Sequence, residues 1–400
     1  MKTIKIGTSQ PLVADLQVST TPISGASTIV LTDTNGYISS DYISPTSIGI
    51  ASTIPLAAGN GKHGNILLNS SGGFYMRNVI EWSSASQEYV LYADIYAKNM
   101  QINQNINLRT NGWRIFVLDQ FAMMSGSKIV ATGTMQNNIL CFSTGSLPTN
   151  TSTSILVGGC NGGVSVQGTA GITGSVISGI VSFGGQGGNG GLIFDSTGTL
   201  SGGTKSVITT WSNATHGLRS TPLITQAITS NNLKIGGGGG GGSGAARGTT
   251  ASYSGCGGGG GGIIVVCATR SSFESGSQII ATGAAGQSGS GGATLCSAGG
   301  GGGGGGGAII AILPESTGSC YISAAGGAGG NGWASTTLTG SITGSGGRGG
   351  SGGYISVYSN NQSLILDTAG GLGGVSVTTN NSQFGTALSG SEGTIYRILI

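Results

Sequence analysis

Cleaving a glycosidic bond takes two carboxylates held roughly 5–10 Å apart, and this chain offers only 12 carboxylates in 400 residues. Asp94, Asp119, Asp195, Glu274, Glu315, Asp367 and Glu392 stand far apart in sequence. Only a fold that stacks distant segments, with neighbouring strands about 4.8 Å apart, could bring two of them together. His63 and His216 are the two histidines, and neither has an acid and a nucleophile nearby in the order of a hydrolytic triad. Both read as surface residues. Cys141, Cys160, Cys256, Cys267, Cys296 and Cys320 contain no CxxC pair and match no zinc-ligand spacing. They read as small buried thiols of a reducing compartment, although Cys256 and Cys267 flank one strand and could approach each other. No glycine run leads into Lys-Ser/Thr at a helix start, so the phosphate-cradling loop is missing. The expectation is a non-enzymatic protein with no catalytic residue, no metal and no cofactor.

What remains is binding by neutral surfaces. Trp211, His216 and Arg219 share one polar insertion, and Trp333 lies in another. An indole among amides and hydroxyls offers an apolar face that tolerates water, so these four are the candidate receptor contacts. The competing assignment makes Trp211 and Trp333 plugs at a solenoid end or subunit contact. The 15 basic residues are spread thinly for a net charge of +3, which gives no clustered field for phosphates, and nucleic acid is not an expected partner. The most apolar window, Ala298 to Leu313, is more than half glycine and too short for a bilayer span of about 20 residues. Neither membrane insertion nor a secretory leader is expected, since no apolar core follows Lys2 and Lys5.

The elements that must carry such loops are visible as a repeat. Glycine contributes 83 of 400 residues while charged residues are 7%, a balance unlike ordinary disorder. Glycine blocks abut short β-branched strands: Gly257 to Gly262 before Ile263, Gly299 to Gly307 before Ile309, Gly346 to Gly353 before Tyr354, and Gly393 before Ile395. A second phrase keeps the same beat, from Gln278-Ile279-Ile280 to Tyr321-Ile322-Ser323 and Leu364-Ile365-Leu366. The period is about 43 residues, as stacked structural units produce. Degraded copies stand at Lys128-Ile129-Val130 and Val176-Ile177-Ser178. Flexible linkers do not keep register, so the glycine is expected to be packed, either in turns with φ > 0 or as polyglycine rods of three residues per turn. Gly257, Gly262, Gly299, Gly307, Gly346 and Gly353 mark the block ends.

The first 60 residues carry short strand signals broken by Pro11, Pro22, Pro45 and Pro55 and read as an attachment segment. Met100, Ile102, Ile106 and Leu108 nearly alternate with Asn103, Asn105 and Asn107, the period of short strands with one buried face.

Two stretches resemble phage tail-fibre and tail-spike proteins. Ile29-Val30-Leu31-Thr32-Asp33-Thr34-Asn35-Gly36-Tyr37-Ile38-Ser39-Ser40 is similar to a phrase near the start of such fibres. Leu91 to Ile102 followed by Leu108-Arg109-Thr110-Asn111-Gly112-Trp113-Arg114-Ile115-Phe116-Val117 is similar to the opening of their shafts, with Trp113 in place of the usual tyrosine. The resemblance covers roughly residues 90–400 and implies a virion structural protein, all-β, with an elongated right-handed β-helix-like shaft and a glycine-rich tip, self-associating first as a homotrimer. The expected organisation is an attachment segment to other virion proteins at 1–60, a transition at 61–90, a β-solenoid with polar loop insertions at 91–235, and the glycine-rich repeats at 236–400. The expected role is a tail fibre or spike component presenting loops to a host surface glycan or protein. A capsid-associated decoration or head-fibre protein and a polysaccharide-depolymerising tailspike are the alternatives.

Overall fold

A computed structural model describes residues 4–5, 11–12, 60–70, 74, 76–84, 86–132, 188–191, 193–195, 198–200, 244–246, 252–291, 296–334, 343–378 and 383–399. The chain divides into two compact units, Met1–Thr53 and Ile54–Ile400. In the first, only an antiparallel pair is described, Ile4–Lys5 against Pro11–Leu12. The described residues are all-β, and none forms a helix long and apolar enough to cross a membrane.

The second unit is organised around a 14-stranded sheet. Its first eight strands are β1 (Asn65–Leu68), β2 (Ile80–Ser83), β3 (Glu88–Leu91), β4 (Ile95–Ala97), β5 (Asn99–Ile102), β6 (Asn107–Arg109), β7 (Ile115–Met123) and β8 (Lys128–Val130). The other six are β9 (Ile263–Ile280), β10 (Ala308–Leu313), β11 (Glu315–Ser323), β12 (Tyr354–Ser359), β13 (Ile365–Asp367) and β14 (Thr394–Ile398). All pairings are parallel except that of β2 with β3.

Three ladders share one core. In the first, Ile95, Ile115, Val266, Ala311, Val357 and Arg397 face one another in succession. In the second, the succession is Tyr89, Leu108, Ile129, Ile279, Ile322 and Leu366. In the third, Ile66, Met100 and Phe121 align. Every apolar member except Leu366 is buried, and Leu366 packs against the same cluster. Parallel ladders need β-branched and aliphatic side chains stacked on their own kind, which is why the repeat is written in Ile and Val.

Ile263 faces Ala308, Ala308 faces Tyr354 and Tyr354 faces Thr394, so the steps span about 40 to 46 residues, as the repeat requires. The two strands after the second and fourth glycine blocks begin at Ala308 and Thr394, directly behind the glycine. The second phrase slips by one: Tyr321 pairs with Ile365, not Leu364. The Lys128 copy stands where the repeat put it, each residue paired with the Gln278 phrase. The ladder thus steps directly from Val130 to Ile280, and Gly262 donates to the Ala131 carbonyl. The phrase at Val176–Ser178 lies outside the described residues.

Beyond the strands the glycine blocks run on side by side, hydrogen-bonded every third residue. Gly255, Gly258 and Gly261 donate to Gly299, Gly302 and Gly305, while Gly301, Gly304 and Gly307 donate to Gln287, Ala284 and Ala281. A chain with three residues per turn returns the same face to the same neighbour at this spacing. Nothing here is a turn: Asn111 and Gly112 have the paired positive φ of an Asn-Gly turn, but no described block glycine lies in the left-handed region. The glycines are needed for proximity instead. A Cβ on Gly302 would lie 2.0 Å from the Gly188 carbonyl oxygen, on Gly303 1.9 Å from that of Gly327, and on Gly304 2.1 Å from that of Gly259. Three consecutive residues meet three different neighbours. Each hydrogen standing in for a side chain points at a carbonyl, the arrangement of a Cα–H···O contact.

Candidate functional site

The bundle reads its own surroundings from its sequence. Segment 299–307, all glycine, is buried throughout. Segments with one face on solvent read Gly-Gly-x: Gly326-Gly327-Ala328-Gly329-Gly330-Asn331 and Gly370-Gly371-Leu372-Gly373-Gly374-Val375. Ala328, Asn331 and Leu372 are exposed, whereas a Cβ on Gly327, Gly330 or Gly371 would strike a carbonyl within 2.0 Å. The block-end glycines 257, 262, 299, 307, 346 and 353 are all buried.

At one end the segments join the apolar stack; at the other they open into excursions that pair antiparallel. Ser290–Gly291 follows Gly289, and Cys296–Ala298 leads back to Gly299; Trp333–Ala334 follows Gly332, and Thr343–Gly344 returns to Ser345. Val375–Thr378 and Gln383–Thr386 form a third excursion. Ile193–Asp195 and Gly198–Leu200 follow the short rod 188–191, and Gly244–Ala246 and Ser252–Tyr253 precede Gly255. These strands interweave as a five-stranded, a three-stranded and a two-stranded sheet, and each of the excursions opening at Ser290 and Trp333 contributes to two of them.

Trp333 sits inside this weave. It pairs with Ala298 and is half-buried, with its ring against Gly291, where a Cβ would come within 2.5 Å of Cζ3. Its ring therefore lies between the excursions that open at Ser290 and at Trp333. Trp211, His216 and Arg219 lie outside the described residues. The described side chains at this end include exposed Ser290 and the half-buried Thr343 and Ser345, so it offers hydroxyls to a polar surface.

The acids and bases are used elsewhere, in structural pairs that the sequence reading did not join. Glu88 accepts from Arg109 at 2.7 Å and 3.2 Å. Buried Asp94 accepts from the Arg114 backbone N–H and Nε, each at 2.9 Å, and Arg114 lies over the Phe116 ring, itself stacked on Tyr96. The signal was register, since each acid precedes its base by one strand step. Asp367 accepts from the hydroxyls of Tyr321 and Ser323 and from the Ala369 N–H. Burial alone would raise its pKa, but these three donors hold the carboxyl below its usual range.

His63 closes a strand edge. Its N–H donates to the Tyr96 carbonyl and its Nδ1 accepts from the Tyr96 N–H, and burial together with Lys62 lowers its pKa. No group of three or more His, Cys, Asp or Glu able to hold a metal exists among the described residues. The thiols of Cys267 and Cys320 are buried, as expected, and burial pushes both up to about 12. Cys256 departs from the expectation: it is disulfide-bonded, and not to Cys267, which is free. The chain matches no known protein family, no curated protein and no solved structure.

Proposed function

We propose that the protein is a non-enzymatic virion structural component, a tail fibre or spike that presents loops to a host surface. In this reading the parallel ladders wind as a right-handed β-helix-like solenoid, and each turn runs on into polyglycine II rods. The observation that carries it is the interwoven loop array at the far end of a side-chain-free bundle anchored on an apolar stack. Such a scaffold holds loops stiffly at a distance from the core, which a recognition tip needs and a catalytic cleft does not. The hydroxyls at that end suit a glycan or a polar protein patch, and the resemblance at Leu91–Val117 supplies the virion context. Residues 1–60 would join it to other virion proteins.

Immunogold electron microscopy of particles, with antibody raised against residues 236–400, tests the assignment. Label at the tail is expected. Label on the head shell would replace it with a capsid-associated role, and new reducing ends after incubation with host polysaccharide would replace it with an enzyme.

A further inference from the structure

The two ends of the stack are finished differently. At the first, β2 turns back antiparallel over β3, and His63 occupies the β4 edge with both its backbone and its ring. These devices blunt an edge. At the other, β14 pairs only with β12 and β13 only with β11 among the described residues. Of the eight large apolar side chains left exposed among the described residues, five belong to this final layer: Ile365, Leu388, Ile395, Ile398 and Leu399. An unpaired strand edge and an uncovered end of the core thus coincide.

We infer that this layer is a two-fold interface on which β14 pairs antiparallel with β14 of a second copy. His63 and β2 blunt the opposite ends of the two ladders that finish in β14 and β13, whereas β1 keeps an open edge only on the third ladder, so the edge that matches β14 is the same edge on another copy. Charge permits it: residues 383–399 carry one acid, Glu392, and one base, Arg397. Register follows from hydrogen bonding. Thr394 donates to Gly353, so residues 394, 396 and 398 spend their backbone groups on β12 while Ile395 and Arg397 turn theirs outward. Three antiparallel registers face those groups toward the partner. One sets Ile395 against its own copy and Arg397 against Gly393, whose N–H is already spent on the Thr368 carbonyl; a second sets Arg397 against its own copy, which like charges disfavour. The third centres on Tyr396 and sets Ile395 against the partner's Arg397. The Arg397 guanidinium is already tied to the carbonyls of Gln362 and Leu364 across the open core, leaving its aliphatic stem to cover the isoleucine.

The inference is independent of the virion assignment, and its two-fold order differs from the three-fold one implied by the resemblance. Sedimentation of the full chain at micromolar concentration should give twice the chain mass. Tyr396→Cys should form an intermolecular disulfide on mild oxidation, because facing residues of a non-hydrogen-bonded pair have Cα atoms about 4.5 Å apart. Ala328→Cys, exposed on the bundle, should not cross-link beyond the wild type. Ile395→Pro, which removes an outward N–H and leaves the β12 bonds intact, should weaken the pair about ten-fold or more with an unchanged far-ultraviolet spectrum. A monomeric or trimeric mass, or a Tyr396→Cys protein that cross-links no more than Ala328→Cys, overturns the inference.

Discussion

The apolar stack and the glycine bundle are built from the same turns of chain, yet they are held together by opposite means. In the stack, Ile264, Ile309 and Ile355 fill space, and successive side chains alternate between the two faces of strands buried on both. In the bundle the side chain is what must be absent, and the period is three. Ordering glycine costs on the order of 1–2 kcal/mol of backbone entropy per residue, offset there by hydrogen bonds between segments of about 1 kcal/mol net each and by backbones close enough to exclude any Cβ. The stack tolerates exchanges of volume; the bundle tolerates none at its inner positions. The lesson is that a run of glycine can specify structure when its neighbours on every side are backbone.

The sharpest way to break this contrast is to add one methyl group. Gly303→Ala places a carbon 1.9 Å from the Gly327 carbonyl oxygen and should destabilise on the order of 5 kcal/mol, beyond the ordinary range for a surface or loop change. Thermal unfolding would show it, and a loss under 1 kcal/mol would mean that the rods are not packed. In the stack, Ile309→Ala removes more atoms but leaves only a cavity, so about 3 kcal/mol is expected in the same measurement.

A smaller effect separates the two regions by pH at the point where they join. Asp367 ends β13, and its carboxyl is held below the usual range. Its contribution is therefore fully present above the unfolded carboxylate pKa and is lost as pH falls through the lower folded value. Asp367→Asn should cost roughly 1–2 kcal/mol at neutral pH, and the difference from wild type should shrink on acidification. A difference that grows instead would assign the loss to packing. Smallest of all, Ala328→Ser at the third position of Gly-Gly-x should change stability by less than about 0.5 kcal/mol, although it lies one residue from Gly327, where a Cβ is impossible. Equal effects at Ala328 and Gly303 would remove the period-three account.

Much of this organisation was legible in the letters. The repeat at Ile263, Ala308, Tyr354 and Thr394 could be read because parallel ladders stack like on like, and the Lys128 phrase showed that an earlier strand joins the same ladder. The second phrase was placed one residue early, at Leu364 instead of Ile365, because a continuous apolar run carries no mark of where pairing starts. The choice between turns and rods could not be made by composition, since glycine serves both; the hydrogen-bond partners decide it. Pairings such as Asp94 with Arg114 were invisible because the contact runs between successive strands, and the sequence gives no register until the strands are aligned. The place of the Trp333 ring between excursions depends on Gly291, forty-odd residues away in the chain, and three of the four candidate contact residues, Trp211, His216 and Arg219, fall outside the described residues.

Amide hydrogen exchange across residues 299–307 of the native protein tests the central claim most directly. Gly300, Gly301, Gly303, Gly304, Gly306 and Gly307 all donate to neighbouring segments, so their amides should exchange as slowly as those of Ile309 and Ile310 in β10. Exchange at the rate of an unstructured peptide through this all-glycine stretch, with β10 still protected, would contradict it.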